Sequence, residues 1–77
     1  MEFRNNNRID SLTIRQQEVL KRVVDGLSYT EIAEDLFISP ETVRTHKKNI
    51  YKKLDVKNQI GAMKMYLINE IMMKMNS

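Results

Sequence analysis

Five basic side chains, Arg44, Lys47, Lys48, Lys52 and Lys53, fall within the ten residues 44–53. Guanidinium and ammonium groups at that density are suited to holding anions, phosphate above all. Their order along the chain is helical: Val43, Ile50 and Leu54 recur at the spacing of one helix face, His46 joins the same stripe, and the basic residues fill much of the remaining surface. One side of such a helix is made to pack and the other to meet an anion. Its beginning is marked as well. Ser39 can accept a hydrogen bond from the orphan amides of a first turn, Pro40 suits the first helical position, and Glu41 follows where negative charge favours the helix dipole.

Other chemistries find little support. The chain has no cysteine, which excludes disulfides, thiolate catalysis and zinc fingers. His46 is the one histidine; it lacks companion ligands for a metal and a nucleophile partner for general-base work, and reads as a partly buried packing residue with a phosphate contact. Gly26 and Gly61 are the only glycines, so there is no glycine-rich phosphate loop. No enzyme activity, metal or cofactor is expected. The net charge of +3 is mild for a nucleic-acid partner, but its distribution is not: residues 44–57 carry six bases against the single acid Asp55, while Glu31, Glu34 and Asp35 cluster earlier.

The elements that must position this helix can be placed from cap signals. A chain of 77 residues is one domain, and at that size folding buries only about 60% of the surface exposed when unfolded, so a partner subunit would help. Residues 1–11 are polar, with Asn5-Asn6-Asn7, and read as a flexible arm in which Arg4 and Arg8 can reach phosphate. A first helix starts at Thr13, which has capping-box spacing to Gln16 and is preceded by Leu12 at a staple position. Ile14, Val19, Leu20, Val23 and Val24 form its apolar band, and Gly26 can take the left-handed conformation that stops it. A second, short helix opens with the capping box Ser28 to Glu31 and turns Ile32, Ala33 and Leu36 inward. It ends near Leu36 or Phe37, so that Ile38 plugs a tight corner before the basic helix over about 40–54. A short helix, a turn and a longer basic helix make the helix-turn-helix pattern.

At this point particular residues become recognisable. Leu12-Thr13-x-Arg15-x-x-Glu18-Val19-Leu20, then Gly26-x-Ser28-x-x-Glu31-Ile32-Ala33-x-x-Leu36-x-Ile38-Ser39-x-x-Thr42-Val43-Arg44-x-His46, then Ile50-x-x-Lys53-Leu54-x-Val56, resembles the LuxR/GerE-type DNA-binding domain of bacterial transcription regulators. The match runs over about 12–66, and the domain is taken as 12–77. The resemblance implies an all-α, four-helix domain whose third helix enters the major groove and whose long C-terminal helix commonly supports dimerisation. Three positions depart from it: Gln16 stands where the family often has Glu, Gln59 where it often has Arg, and Asp55 where Gly or Asn is common. The matching family positions make Arg44, Thr45 and Lys48 the base readers. Arg44 or Lys48 can donate to guanine, and Thr45 can offer its methyl to thymine or its hydroxyl to a base edge. Thr42, Lys47 and Lys52 are the expected phosphate anchors, joined by Ser28, Tyr29 and Thr30 through amides at a helix N-terminus; Lys53 and Lys57 are weaker candidates.

The last helix is capped by Asn58 and runs over about 59–73. Projected at about 100° per residue, Ala62, Met63, Tyr66 and Leu67 share one arc, which should complete the core, and Gly61, Met65, Ile68 and Met72 share another. That second arc has coiled-coil spacing and is expected to be the seam of a homodimer. A larger core, a regulatory domain or protein outside this chain, and a membrane-surface helix are the other ways to cover it. The apolar C-terminal stretch is interrupted by Lys64, Asn69, Glu70 and Lys74, against a membrane span, and a cytoplasmic location is expected. The sequence thus points to a transcription regulator that binds double-stranded DNA as a dimer on an inverted repeat. Its alternatives are a protein-binding adaptor or antagonist acting through the last helix, and a sigma-factor-like promoter reader.

Overall fold

The computed structural model describes residues 8–75. Arg4 and the greater part of the expected arm lie outside them. Four α-helices follow a single 3-10 turn: α1 (Ile14–Val24), α2 (Tyr29–Leu36), α3 (Pro40–Leu54) and α4 (Gln59–Met75), with Arg8–Ser11 as the turn. That turn corrects the reading of 1–11 as an arm throughout, because Ile9 within it is buried in the core. A single isoleucine flanked by polar residues carries no periodicity, so the sequence offers no sign of it.

Helix starts fall where the cap residues put them. Thr13 and Gln16 form a reciprocal capping box, as do Ser28 and Glu31. The hydroxyl of Ser39 accepts from the amide of Thr42 at 3.1 Å, and the Asn58 side chain accepts from the amide of Gly61 at 3.0 Å. Each of these satisfies one of the amides that the first turn of a helix leaves without a partner.

Helix ends are equally local. Gly26 at φ 89° closes α1, with the amide of Leu27 reaching the carbonyl of Arg22 at 3.0 Å. Asp55 closes α3 at φ 57° in the same way, the Val56 amide reaching Tyr51 at 3.0 Å. Phe37 does this at the corner between α2 and α3, at φ 59°, although it has a full side chain and is 92% exposed. A left-handed conformation costs a non-glycine residue about 1–2 kcal/mol. The corner tolerates this because it brings the Ile38 amide to the carbonyl of Ala33 at 3.0 Å and lets Ile38 pack on the core.

The core gathers Val19, Leu20 and Val23 of α1, Ile32, Ala33 and Leu36 of α2, and Val43, Ile50 and Leu54 of α3, with Ala62 as the buried residue of α4. α3 packs on both α1 and α2, and α4 lies mainly along α1. Ile14 does not join the α1 band as expected; it is 78% exposed. At about 100° per residue it points nearly opposite Val19 and Val23, so no packing partner reaches it. Gln16 takes the inward position instead and is buried. Its Oε1 accepts from the amide of Thr13 at 3.0 Å and from the Lys53 ammonium at 3.0 Å, so the buried amide is satisfied and the start of α1 is tied to the end of α3. A second tie joins α1 to α2, between the guanidinium of Arg22 and the carboxylate of Asp35.

Gln16→Ala removes half of the capping box and one acceptor of Lys53, and should lower stability by about 1–2 kcal/mol. In a domain of this size each kcal/mol corresponds to roughly 4–8 °C in the melting midpoint, read by circular dichroism.

Candidate nucleic-acid interface

The burial of Val43, Ile50 and Leu54 sets the rotation of α3, and with it the direction of every basic group on the helix. Thr45 and Lys52 lie about 180° from that stripe, with Arg44 and Lys48 on one shoulder of the same face. All four are exposed. The three expected base readers are therefore brought together on the outer side of α3, Arg44 and Thr45 in its first half and Lys48 just past its middle. Glu41 shares this surface and forms an ion pair with Arg44, Nε to Oε1 3.7 Å.

The expected anchors divide. Thr42 is exposed on the far flank, its hydroxyl 2.9 Å from that of Ser39. Lys52 is exposed at the end of the outer face. Lys53, one residue on, is turned by about 100° and belongs to another surface. Its ammonium donates to the Ser11 carbonyl at 3.2 Å and to Gln16, so this lysine fastens the helix to the domain. Lys47 sits at the edge of the buried stripe and is half-buried. Its ammonium lies 4.7 Å from the centre of the Tyr29 ring and 5.5 Å from that of Tyr51. Burial opposes the charge on Lys47, but the two tyrosines beside it outweigh burial and hold its pKa above the ordinary lysine value.

At the start of α2 the expectation is narrowed. The Ser28 amide donates to Glu31 Oε1 at 2.8 Å, completing the capping box, so it is engaged within the chain. The amides that a helix start leaves to an outside anion are then those of Tyr29 and Thr30, the first two helical positions. A shallow hollow of about 240 Å³ nonetheless brings Ser28, Tyr29 and Lys47 together with Gln59, Val23 and Leu27. Gln59 thus joins α4 to this surface. Its amide can donate where the family often carries arginine.

Sequence reasoning missed Tyr51. It stands one turn after Lys47, and that spacing of four positions was the available signal. Its ring packs on the core and its hydroxyl is buried without a hydrogen-bond partner in the described structure. Burial pushes its phenol up, and the Lys47 ammonium pulls it partly back.

The dimer seam expected on α4 is redistributed. Gly61 faces its own chain: a Cβ there would lie 3.0 Å from Cβ of Val56, tighter than ordinary contact, so any larger residue would push Val56 and α4 apart by a few tenths of an ångström. Met65 packs against the core as well. Leu67, expected inside, is 52% exposed, and Ile68 is 54% exposed. The packing of α4 on α1 turns Ala62, Met65 and Tyr66 inward; a helix apolar on two sides carries no signal that fixes its phase.

A short α2, a tight corner and a basic α3 held with its polar face outward define a helix-turn-helix DNA-binding domain. The family model described as bacterial regulatory proteins, luxR family, matches residues 10–66. The chain belongs to this family, whose members are DNA-binding transcription regulators and not enzymes. It is 46% identical over 57 residues to the nitrate/nitrite response regulator protein homolog of Haemophilus influenzae, covering 74% of this chain and 27% of that protein. It is 49% identical over 51 residues to the CsgBAC operon transcriptional regulatory protein of Escherichia coli, covering 66% of this chain and 24% of that protein. With the transcriptional regulatory protein LiaR of Bacillus subtilis it shares 45% over 53 residues, 69% of this chain and 25% of that protein. The chain spans about a quarter of the length of these curated relatives. No helix among the described residues is long and apolar enough to cross a membrane.

Tyr51→Phe removes a buried hydroxyl that lacks a partner. It should leave stability unchanged or raise it by about 1 kcal/mol, measured by urea unfolding; a loss of that size would mean that the hydroxyl is bonded after all.

Proposed function

We propose that this domain reads duplex DNA for a cytoplasmic transcription regulator and does so as a homodimer on an inverted repeat. The observation that carries the reading is the outer face of α3: Arg44, Thr45 and Lys48 are exposed together on a helix whose opposite side is fully packed. A helix so held can enter the major groove with its first turns against base edges. Lys52, Thr42, Lys47 and the amides of Tyr29 and Thr30 flank that face and supply the phosphate contacts, from which most of the affinity comes by counterion release. Half-sites about 10 base pairs apart suit a symmetric pair of such helices.

The dimer rests on α4. Ile60, Leu67, Ile68, Ile71 and Met75 are all more than half exposed and project onto one band of about 100°, with Lys64 among them. Their spacing follows a coiled-coil seam, and a second copy of the same helix covers it most simply, since an isologous contact is self-complementary. This seam keeps Ile68 from the set expected by sequence, has Met72 at its edge, and replaces Gly61 and Met65, which are occupied within the chain.

Lys48→Ala should cost about 1–3 kcal/mol of binding and relax preference at particular base pairs. Lys52→Ala should weaken binding to every duplex and reduce the salt slope by about one. Selection from random DNA, followed by titration at several salt concentrations, tests both. If the parent enriches no motif and both variants bind like it, the domain is an adaptor and α3 does not read DNA. Ile71→Glu should give a folded monomer by sedimentation that still binds a single half-site; a dimer unchanged from the parent would discard this seam.

A further inference from the structure

Tyr29 stands at the first position of α2, yet its ring meets two cations of α3. The guanidinium carbon of Arg44 lies 5.1 Å from the ring centre and the Lys47 ammonium lies 4.7 Å from it. Each cation has a second restraint, Arg44 in the carboxylate of Glu41 at 3.7 Å and Lys47 in the ring of Tyr51 at 5.5 Å. Arg44 and Lys47 are three residues apart on α3, one on the outer shoulder and the other at the edge of the packed stripe. A single aromatic ring therefore bridges the reading flank and the anchoring flank of the interface.

We infer that Tyr29 is a positioning residue, which orders Arg44 and Lys47 over its ring before DNA arrives. The inference rests on the DNA-binding reading above and names how its cations are set. A cation over a ring face keeps its hydrogen-bonding capacity: the guanidinium presents its donors at the plane's edge, and the ammonium keeps the side away from the rings. Long side chains that must be immobilised on association each cost affinity, about two- to tenfold. Side chains already held in the free protein avoid part of that loss. The ring itself is anchored, because Tyr29 is half-buried and packs on the core.

The test is a mutant cycle on the duplex recovered by selection from random DNA. Tyr29→Leu should weaken binding by about tenfold, the product of two ordering losses of about threefold each, with the salt slope unchanged because both cations remain. Tyr29→Phe keeps the ring face and should recover most of the loss. In a background carrying Arg44→Ala and Lys47→Ala, Tyr29→Leu should add nothing. In the free protein, the δ-methylene protons of Arg44 should show an upfield ring-current shift that disappears in Tyr29→Leu, while that of the Lys47 ε-methylene falls to what the Tyr51 ring supplies. Positioning by the ring is overturned if Tyr29→Leu binds like the parent, if it loses as much in the doubly substituted background, or if Tyr29→Phe is equally impaired. Should Tyr29→Leu fail to fold, absence of the ring-current shift in the parent overturns it. A different result, Arg44→Ala with Lys47→Ala binding like the parent, sinks the DNA-binding assignment itself.

Discussion

The seating of Val43, Ile50 and Leu54 between α1 and α2 is the contact on which everything else here depends. Removing each side chain from water contributes about 1.5–3 kcal/mol, a large share of what a domain of this size can gather. Because the three lie on one line of α3, their burial fixes the helix rotation as well as its depth. Arg44, Thr45, Lys48 and Lys52 are exposed for that reason, without needing interactions of their own to hold the face outward. Function follows from packing on the reverse side of the same helix.

A short chain can support this arrangement only if its helices stop where the geometry requires. Three left-handed residues, Gly26, Phe37 and Asp55, end three helices, and side-chain caps begin them. Gly26 and Asp55 are inexpensive choices for that conformation; Phe37 is not. Its placement gives the corner its tightness, because the chain has to reverse between Leu36 and Ser39 while Ile38 stays on the core. The cost at Phe37 is offset by what the corner allows, the full burial of Ile32 and Val43 on either side of it.

Residues of one type serve different ends according to the side of α3 they occupy. Lys52 faces outward, Lys53 ties the domain together through Gln16 and Ser11, and Lys47 rests between two tyrosine rings. A basic cluster is therefore partly scaffold. α4 shows the complementary case: Ala62 is its one buried residue, while a band of large apolar side chains stays in water. Exposed apolar surface of that kind is what the proposed dimer contact rests on.

The sequence by itself determined the number of helices, their capped starts, the glycine stop of α1 and the division of α3 into a packed and a basic side. These are short-range properties: a cap bonds within three residues, and a helical stripe is read from spacing alone. It also carried the family, since the residues of 12–56 that match lie almost wholly in those caps and stripes. The tertiary structure decided what depends on which neighbour arrives. Ile9 became core because a turn packs against α3 and α4; Ile14 was left out because nothing packs on its side; Gln16 and Lys53 met across 37 positions. The phase of α4 was open in the sequence because both of its sides are apolar, and only the fit of Gly61 against Val56 and Met65 against the core selected one. Tyr29, Arg44 and Lys47 are separated in sequence by a whole helix and a corner, and it takes the folded angle between α2 and α3 to place both cations over one ring.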